Sequence, residues 1–221
     1  MFDIDDYILR LTAMLQERFE ERLVYVGLQG SYLRNEAIQN SDIDIMVVLA
    51  EMTIADLNCY REILLILGDE EKACGFICSA EDLANWNPLE IFHLLNSTKD
   101  CYGELARLVP AYSRADIQNF VKISVNNLYH ALCHSYIHSS RESNIAKLPG
   151  MYKGVFFILQ NLYYLKTDVF VPTKARLLPQ LSGRDQAVLS TAIRLQSCDE
   201  YDFGESFELL FVWCQEVIRS L

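Results

Sequence analysis

The chain has 221 residues, a length that allows one large domain or two small ones. Apolar residues make up 51% and charged residues 22%, which excludes an intrinsically disordered or fibrous protein. The net charge of −11 is unevenly spread: the segment up to Pro110 carries 8 basic and 20 acidic residues, and the rest carries 11 and 10. Because no long cluster of Lys and Arg is present, nucleic acid is not an expected partner.

Membrane insertion and a disulfide framework are also not expected. The most apolar charge-free stretch, residues 154–165, is well short of the ~20 residues that a membrane span needs, and acids stand where a signal peptide has Lys or Arg. We therefore expect a cytoplasmic protein without membrane contact. The seven cysteines include no C-x-x-C pair, which argues against disulfides or a zinc knuckle, and we expect most of them to be buried thiols.

The first 110 residues alternate between helical and strand patterns. The patterns predict a helix at 4–23, strands at 23–28, 42–49 and 73–78, and a second helix at 53–67. The second strand is apolar on both faces from Met46 onward, which indicates a central position. Ser79 and Asp82 have capping-box spacing and predict a further short helix. This order indicates a small mixed α/β domain over residues 1–110.

The remaining residues carry helical patterns alone. Helices are predicted at 113–139, at 150–166, from near Thr173, at 182–196 and at 204–221. We therefore predict an α+β protein, in which an all-α helical bundle over residues 111–221 follows the α/β domain.

One short segment combines residues with chemical meaning. Asp42 and Asp44 begin the second strand, where alternate side chains project to one face while Ile43 and Ile45 enter the opposite layer. Two carboxylates so close repel each other unless cations neutralise them. Mg²⁺ is typically held by one or two carboxylates plus substrate phosphates, and a pair of such ions serves in-line displacement. Asp42 and Asp44 therefore predict a magnesium site, with two ions as the expected number.

Gly30 and Ser31 directly follow the first strand. Glycine lets an anion approach the backbone, and a serine hydroxyl with adjacent N–H groups can donate to phosphate oxygens. The segment contains no G-K-[ST], and the chain has no G-x-G-x-x-G, so neither a Walker loop nor a dinucleotide fingerprint is present. We expect Gly30 and Ser31 to bind a triphosphate opposite the acids.

The Gly-Ser pair, ten intervening residues and D-x-D together resemble the polymerase-β-like nucleotidyltransferase superfamily. The strong match covers residues 23–49, and a looser one extends to about 110, where Tyr102 and Gly103 look like the Y-G that often closes this domain. The helical second domain is similar in size to those of antibiotic nucleotidyltransferases acting on aminoglycosides or lincosamides.

The resemblance implies an enzyme that transfers a nucleoside monophosphate to a hydroxyl of a small-molecule acceptor and releases pyrophosphate. AMP from ATP is the usual donor group, although another nucleoside triphosphate is compatible. By analogy with lysines in the C-terminal domains of the family, Lys153 and Lys174 are implied phosphate contacts.

The chain departs from the family at a third acid. Many members carry another carboxylate on the next strand, whereas residues 73–78 have none and place Cys74 and Cys78 where an acid is expected. Glu81 and Asp82 follow just beyond the strand. Either could complete the metal shell, with Glu81 as a catalytic residue, or both could serve the N-terminus of the next helix.

The general base also has more than one candidate, namely Glu81, Asp116 and Glu142. Because an acid is missing, two alternatives to an antibiotic-modifying enzyme stay open. One is a catalytically silent module that binds nucleotide or a partner. The other is a transferase that modifies a protein in a toxin–antitoxin pair. The sequence gives no oligomeric state.

Three histidines, His130, His134 and His138, lie at i, i+4 and i+8 on one face of the predicted helix 113–139. The outer two are ~12 Å apart at a rise of ~1.5 Å per residue, so the three do not converge on one metal ion. The spacing is therefore interpreted as a polar helix face.

Overall fold

The computed structural model describes residues 2–196 and 200–221. The chain divides into two compact units, Met1–Tyr112 and Ser113–Leu221. The boundary predicted from the sequence lies at residue 110.

The first unit contains a mixed four-stranded sheet with helices. Its helices are α1 (Ile4–Phe19), α2 (Gly30–Leu33), α3 (Ile54–Leu67), α4 (Ala80–Ala84) and α5 (Pro88–Asn96), and its strands are β1 (Leu23–Leu28), β2 (Ile43–Leu49), β3 (Ala73–Ser79) and β4 (Lys99–Tyr102). The strand order is β3-β2-β1-β4. β1 pairs antiparallel with β2 and β4, whereas β2 pairs parallel with β3. β2 is thus internal to the sheet, as its apolar sequence predicts.

The alternation of side chains along β2 separates two layers. Ile43, Ile45, Val47 and Leu49 are buried in one cluster with residues of α1 and α3. Met46 and Val48 are buried in another cluster, which includes Tyr25 of β1 and Leu83 of α4. Each such side chain contributes roughly 1.5–3 kcal/mol when fully buried. Asp44 lies on the same face of β2 as Met46, near the N-terminal end of the strand, where the buried apolar cluster ends.

α3 begins at a capping box that also binds an arginine. The Thr53 side chain accepts from the backbone N–H of Asp56, and the Asp56 carboxylate accepts from the Thr53 backbone. Arg22 donates two further hydrogen bonds to that carboxylate, at 3.2 and 2.7 Å. The bonds from Arg22 and Thr53 hold the pKa of Asp56 well below its usual range, despite burial. Asp56 is therefore a structural carboxylate that ties α3 to the segment before β1.

The secondary-structure elements described in the second unit are all helices. Its α-helices are α6 (Arg114–His138), α7 (Arg141–Tyr152), α8 (Val155–Thr167), α9 (Lys174–Leu177), α10 (Gly183–Arg194) and α11 (Phe203–Ser220). Short 3₁₀ segments lie at Glu20–Arg22 and Leu105–Arg107 in the first unit and at Leu178–Gln180 in the second. Its core includes Val121, Phe156, Leu159 and Trp213. The α+β class predicted from the sequence is confirmed.

The sequence patterns do not predict two helices, α5 and, in the second unit, α7. Pro149 and Gly150 lie inside α7 and disfavour a helix, since proline removes a backbone donor and glycine has low helical propensity. The helix forms because Ser140 caps its N-terminus and because Leu148 and Tyr152 are buried against the rest of the unit.

The described part of the chain contains no helix that is both long and apolar enough for a membrane span. Six cysteines lie within it, and all six are free thiols. Only Cys78 and Cys214 of these are buried. The expectation that most cysteines are buried is therefore wrong for the described residues, while Cys198 lies outside them.

Candidate functional site

The candidate site forms where β1 ends beside the beginning of β2. Leu28 is paired with Ile45, and the backbone N–H of Gln29 donates to the carbonyl of Asp44 at 2.8 Å. The Gln29 side chain is anchored on its other side by a 2.8 Å hydrogen bond to Thr98 Oγ1. The chain therefore turns into α2 immediately next to Asp44.

Gly30 lies directly against the Asp44 carboxylate. Its φ is +69°, a conformation that side chains rarely adopt. A Cβ at this position would overlap Oδ2 of Asp44 and lie 2.6 Å from its Cγ. Glycine is thus required here by both backbone conformation and space. Two of the residues singled out from the sequence, Gly30 and Asp44, are brought together by the fold.

The two aspartates differ in exposure. Asp42 is exposed and Asp44 is half-buried at the edge of the apolar layer. Burial raises the pKa of Asp44 and the Asp42 charge raises it further, while a hydrogen bond from the Cys74 thiol and the charge of Arg34 lower it. The net shift is upward. The nearby protein groups therefore do not fully offset the free-energy cost of ionising Asp44.

Arg34 is a site residue that the sequence analysis did not assign. Its Nε donates to Glu36 Oε2 at 3.1 Å, and its side chain is only 15% exposed. Besides Asp44, Arg34 acts on His93, whose pKa is lowered to about 4 by burial and by this neighbouring charge. His93 is hence neutral at pH 7. The sequence feature that could have identified Arg34 is its position four residues after Gly30, which places it at the C-terminal end of the short helix α2.

Cys74 occupies the position from which a third acid would join the pair. β3 runs parallel to β2, and Cys74 is the register partner of Asp44. It is exposed and hydrogen-bonded to Asp44. Cys78 is buried farther along the strand, opposite Val48. Of the two cysteines considered from the sequence, Cys74 is therefore the one at the site.

Glu81 is not brought to the two aspartates, which corrects its prediction as a catalytic residue. β3 ends at Ser79, the register partner of Leu49, whereas Cys74 is the partner of Asp44. Five residues of strand separate these levels, roughly 16 Å at ~3.3 Å per residue. Glu81 follows in α4, at the opposite end of the strands, and its neighbour Asp82 forms the capping box with Ser79. The interpretation in which these acids serve the helix N-terminus fits the structure.

The other two candidates for the general base serve helix N-termini in the second unit. Asp116 accepts from the backbone N–H and hydroxyl of Ser113, at 2.8 and 2.6 Å, in the capping box of α6. Glu142 lies in the first turn of α7, where its own backbone N–H and Ser140 lower its pKa. Both carboxylates thus already have local partners.

The two lysines implied as phosphate contacts also lie in the second unit. Lys153 is exposed at the C-terminal end of α7. Lys174 donates to Gln196 Oε1 at 2.9 Å, and its ammonium lies 5.8 Å from the ring centre of Phe156. Phosphate contact by these lysines stays a prediction.

The residues at the site fit a hard divalent cation. Two carboxylates offer the oxygen ligands that Mg²⁺ prefers, and burial together with the Asp42 charge raises the pKa of Asp44 despite the nearby Cys74 thiol and Arg34. Over residues 2–196 and 200–221, no three or more His, Cys, Asp or Glu side chains are arranged for a metal ion. Ligands beyond Asp42 and Asp44 would therefore come from substrate and water, the usual arrangement for Mg²⁺.

Comparison with solved structures shows a shared fold. The chain superposes on spectinomycin adenyltransferase AAD(9) from Enterococcus faecialis with ATP and spectinomycin, with a TM-score of 0.62 at 13% identity, covering 98% of this chain and 100% of that one. A solved structure of a toxin-antitoxin with AMP-PNP gives a TM-score of 0.33 at 18% identity, covering 59% and 94%, a similarity too low to support a conclusion. No curated protein matches the chain significantly in sequence.

Part of the first unit also matches a protein-family model. Residues 11–88, which include β1, β2, β3 and the Gly30–Asp44 contact, match the family described as the nucleotidyltransferase domain. Residues 11–88 of the first unit are therefore similar to a nucleotidyltransferase domain.

Proposed function

We propose that this protein transfers a nucleoside monophosphate from a nucleoside triphosphate, with ATP as the leading candidate, to a hydroxyl group of a small molecule and releases pyrophosphate. The observation that carries the proposal is the Asp42–Asp44 pair, in which half-buried Asp44 rests against Gly30 and faces a second carboxylate. Such an uncompensated carboxylate is costly unless a cation binds it.

Each site residue has a role in this reaction. Asp42 and Asp44 would hold Mg²⁺, with two ions as the expected number. When bound, the metal supplies positive charge beside the phosphoryl group that is transferred. Because Gly30 has no Cβ, the Asp44 carboxylate fits against its backbone, and the Ser31 hydroxyl donates to a phosphate oxygen.

Arg34 adds a donor close to the same acids. Its guanidinium is already paired with Glu36, so phosphate competes with that carboxylate for it. Phosphoryl transfer depends largely on positioning and on charge stabilisation at phosphorus, and this group supplies positive charge for the latter. Lys153 and Lys174 of the second unit are proposed as further phosphate contacts.

An aminoglycoside-like antibiotic is the proposed class of acceptor. The shared fold with a spectinomycin adenyltransferase supports this choice. The segment up to Pro110, with 20 acidic and 8 basic residues, also favours a cationic acceptor over an anionic one.

A nucleotide-binding module without turnover is the second candidate, and Cys74 favours it. A thiol takes the place beside Asp44 where a third carboxylate would lie, and Glu81 is at the far end of the strands. A site with two aspartates can bind a metal–nucleotide complex and yet lack a group that removes the proton of the acceptor hydroxyl.

The proposal is tested in two steps on the full chain. Thermal unfolding is measured with MgCl₂ or MnCl₂ and a nonhydrolysable ATP analogue. We expect metal-dependent stabilisation that Asp42→Asn and Asp44→Asn abolish and that Glu62→Gln, which removes an exposed carboxylate of α3, preserves. Pyrophosphate release is then measured across a panel of aminoglycosides and other hydroxyl-bearing antibiotics.

The outcomes separate the candidates. Metal-dependent nucleotide binding with pyrophosphate release on an acceptor supports the enzyme. Binding without release on any acceptor supports the silent module. The assignment of Asp42 and Asp44 is overturned if the wild type shows no stabilisation, or if both aspartate variants are stabilised as much as the wild type.

A further inference from the structure

The structure arranges the three histidines of α6 as one close pair and one outlier. The ring centres of His134 and His138 are 4.7 Å apart, with an angle of 50° between the ring planes. The ring centres of His130 and His134 are 6.0 Å apart. Equal spacing in the sequence therefore does not give equal spacing in the structure.

Metal geometry favours the closer pair. A metal bound at ~2.0–2.1 Å from an imidazole nitrogen lies about 3.2 Å from the ring centre. Two rings 4.7 Å apart then subtend an angle of about 95° at the metal, close to the angles of tetrahedral and square-planar coordination. Rings 6.0 Å apart would subtend about 140°, which is too wide for either geometry.

The surroundings leave both imidazoles accessible to a ligand. His134 and His138 are exposed, and within residues 2–196 and 200–221 no hydrogen bond or ion pair occupies either ring. His138 is the last residue of α6. The carbonyl groups at the C-terminus of a helix carry partial negative charge, so a cation is stabilised there.

One nearby charge opposes a cation. Lys147 of α7 donates to Ser139 Oγ at 3.3 Å and, with His130 and His134, lines a hollow of about 330 Å³. Its ammonium group disfavours a second positive charge at the pair. Removing this charge should strengthen metal binding, whereas removing either histidine should weaken it.

We propose that His134 and His138 form a two-histidine site for a divalent transition-metal cation such as Ni²⁺, Zn²⁺ or Cu²⁺, with water in the other coordination positions. Imidazole nitrogen suits these ions, whereas the hard ion Mg²⁺ prefers oxygen ligands. The inference is independent of the proposed transferase activity, since it uses neither Asp42 nor Asp44.

The test is calorimetric titration of the untagged full chain with NiCl₂ at pH 7.5. We expect a binding event that His134→Asn or His138→Asn weakens about tenfold or more, because each leaves a single ligand without the chelate effect. His130→Asn should change this affinity by less than about twofold, and Lys147→Met should strengthen it. MgCl₂ should give no binding event that depends on the two histidines.

The variants change exposed side chains, and equal unfolding midpoints in EDTA will show that they fold as the wild type does. The site is overturned if a variant lacking both His134 and His138 binds Ni²⁺ as tightly as the wild type. It is equally overturned if His130→Asn weakens binding as much as either paired histidine does.

Discussion

Asp44 and Asp56, two carboxylates of the first unit, have opposite electrostatic environments. Asp56 accepts hydrogen bonds from Arg22 and Thr53, and these partners lower its pKa. Asp44 loses solvent, faces the charge of Asp42 and has its pKa raised. Burial acts in the same direction on both, so the difference comes from their partners.

The comparison separates structural from functional acids. A buried carboxylate whose charge is matched by protein donors stabilises the fold, whereas one left unmatched is a candidate for binding a cation.

Asp56→Asn should lower the free energy of unfolding by about 2–3 kcal/mol, because it weakens the capping box and leaves Arg22 without its anion. A loss of that size lowers the unfolding midpoint by several degrees. The nucleotide-induced shift should persist at temperatures where the variant is folded. Asp44→Asn should give the reverse, with no loss of stability in the absence of metal and no nucleotide-induced shift.

Urea unfolding and thermal unfolding with the ATP analogue measure the two effects separately. A large loss of stability in Asp44→Asn, or loss of the nucleotide response in folded Asp56→Asn, would contradict the assignment of roles.

Gly30→Ala should weaken the nucleotide response by about tenfold or more, since the new Cβ displaces the Asp44 carboxylate and adds backbone strain of ~1–3 kcal/mol. Gly68→Ala is the matched control, because Gly68 also has a positive φ, +88°, but a Cβ there meets nothing within 4 Å. Titrations of the two variants with Mg²⁺ and the ATP analogue compare them. Equal nucleotide affinity in both variants would show that the contact with Asp44 is not needed.

The pH dependence of stability should have opposite signs at the two acids. The folded-state pKa of Asp56 is below its ordinary value of 3.8, so its stabilisation is present above that value and is lost as the pH falls toward the folded-state pKa. The folded-state pKa of Asp44 is raised above 3.8, so its favourable contribution is present below that value and is lost as the pH rises through the folded-state pKa.

Urea unfolding without metal, between pH 3 and 6, gives the free energy of unfolding of the wild type, Asp56→Asn and Asp44→Asn. As the pH rises, the wild type should become more stable relative to Asp56→Asn. Over the same range it should become less stable relative to Asp44→Asn. Each slope is at most about 1.4 kcal/mol per pH unit. Slopes of the same sign would refute the comparison.

Glu36→Gln should have the smallest effect, a gain of a few-fold in nucleotide affinity. The change removes a negative charge that competes with phosphate for Arg34, in a pair that is partly exposed. Isothermal titration with the Mg²⁺–ATP analogue measures it, with Glu62→Gln as the control for a change of net charge. A loss of affinity specific to Glu36→Gln would indicate that the pair mainly positions Arg34.

Local sequence patterns predicted most elements of the first unit. β1 occupies the predicted residues, β2 and α3 each begin one residue later than predicted, and the capping box at Ser79 is confirmed. These features depend on side-chain alternation, helical periodicity and caps, which act over a few residues. α7 was missed because its stability comes from burying Leu148 and Tyr152, and no local pattern outweighs Pro149.

Periodicity within single segments was enough to predict the α+β class and the order of the strands along the chain, whereas β2 begins at Ile43 and leaves Asp42 just before it. That Gly30 lies against Asp44, that Cys74 lies beside it and that Glu81 lies away from it follows from the pairing of strands. Direction and register between segments that are distant in the chain fix which side chains meet, and neither is encoded in either segment alone.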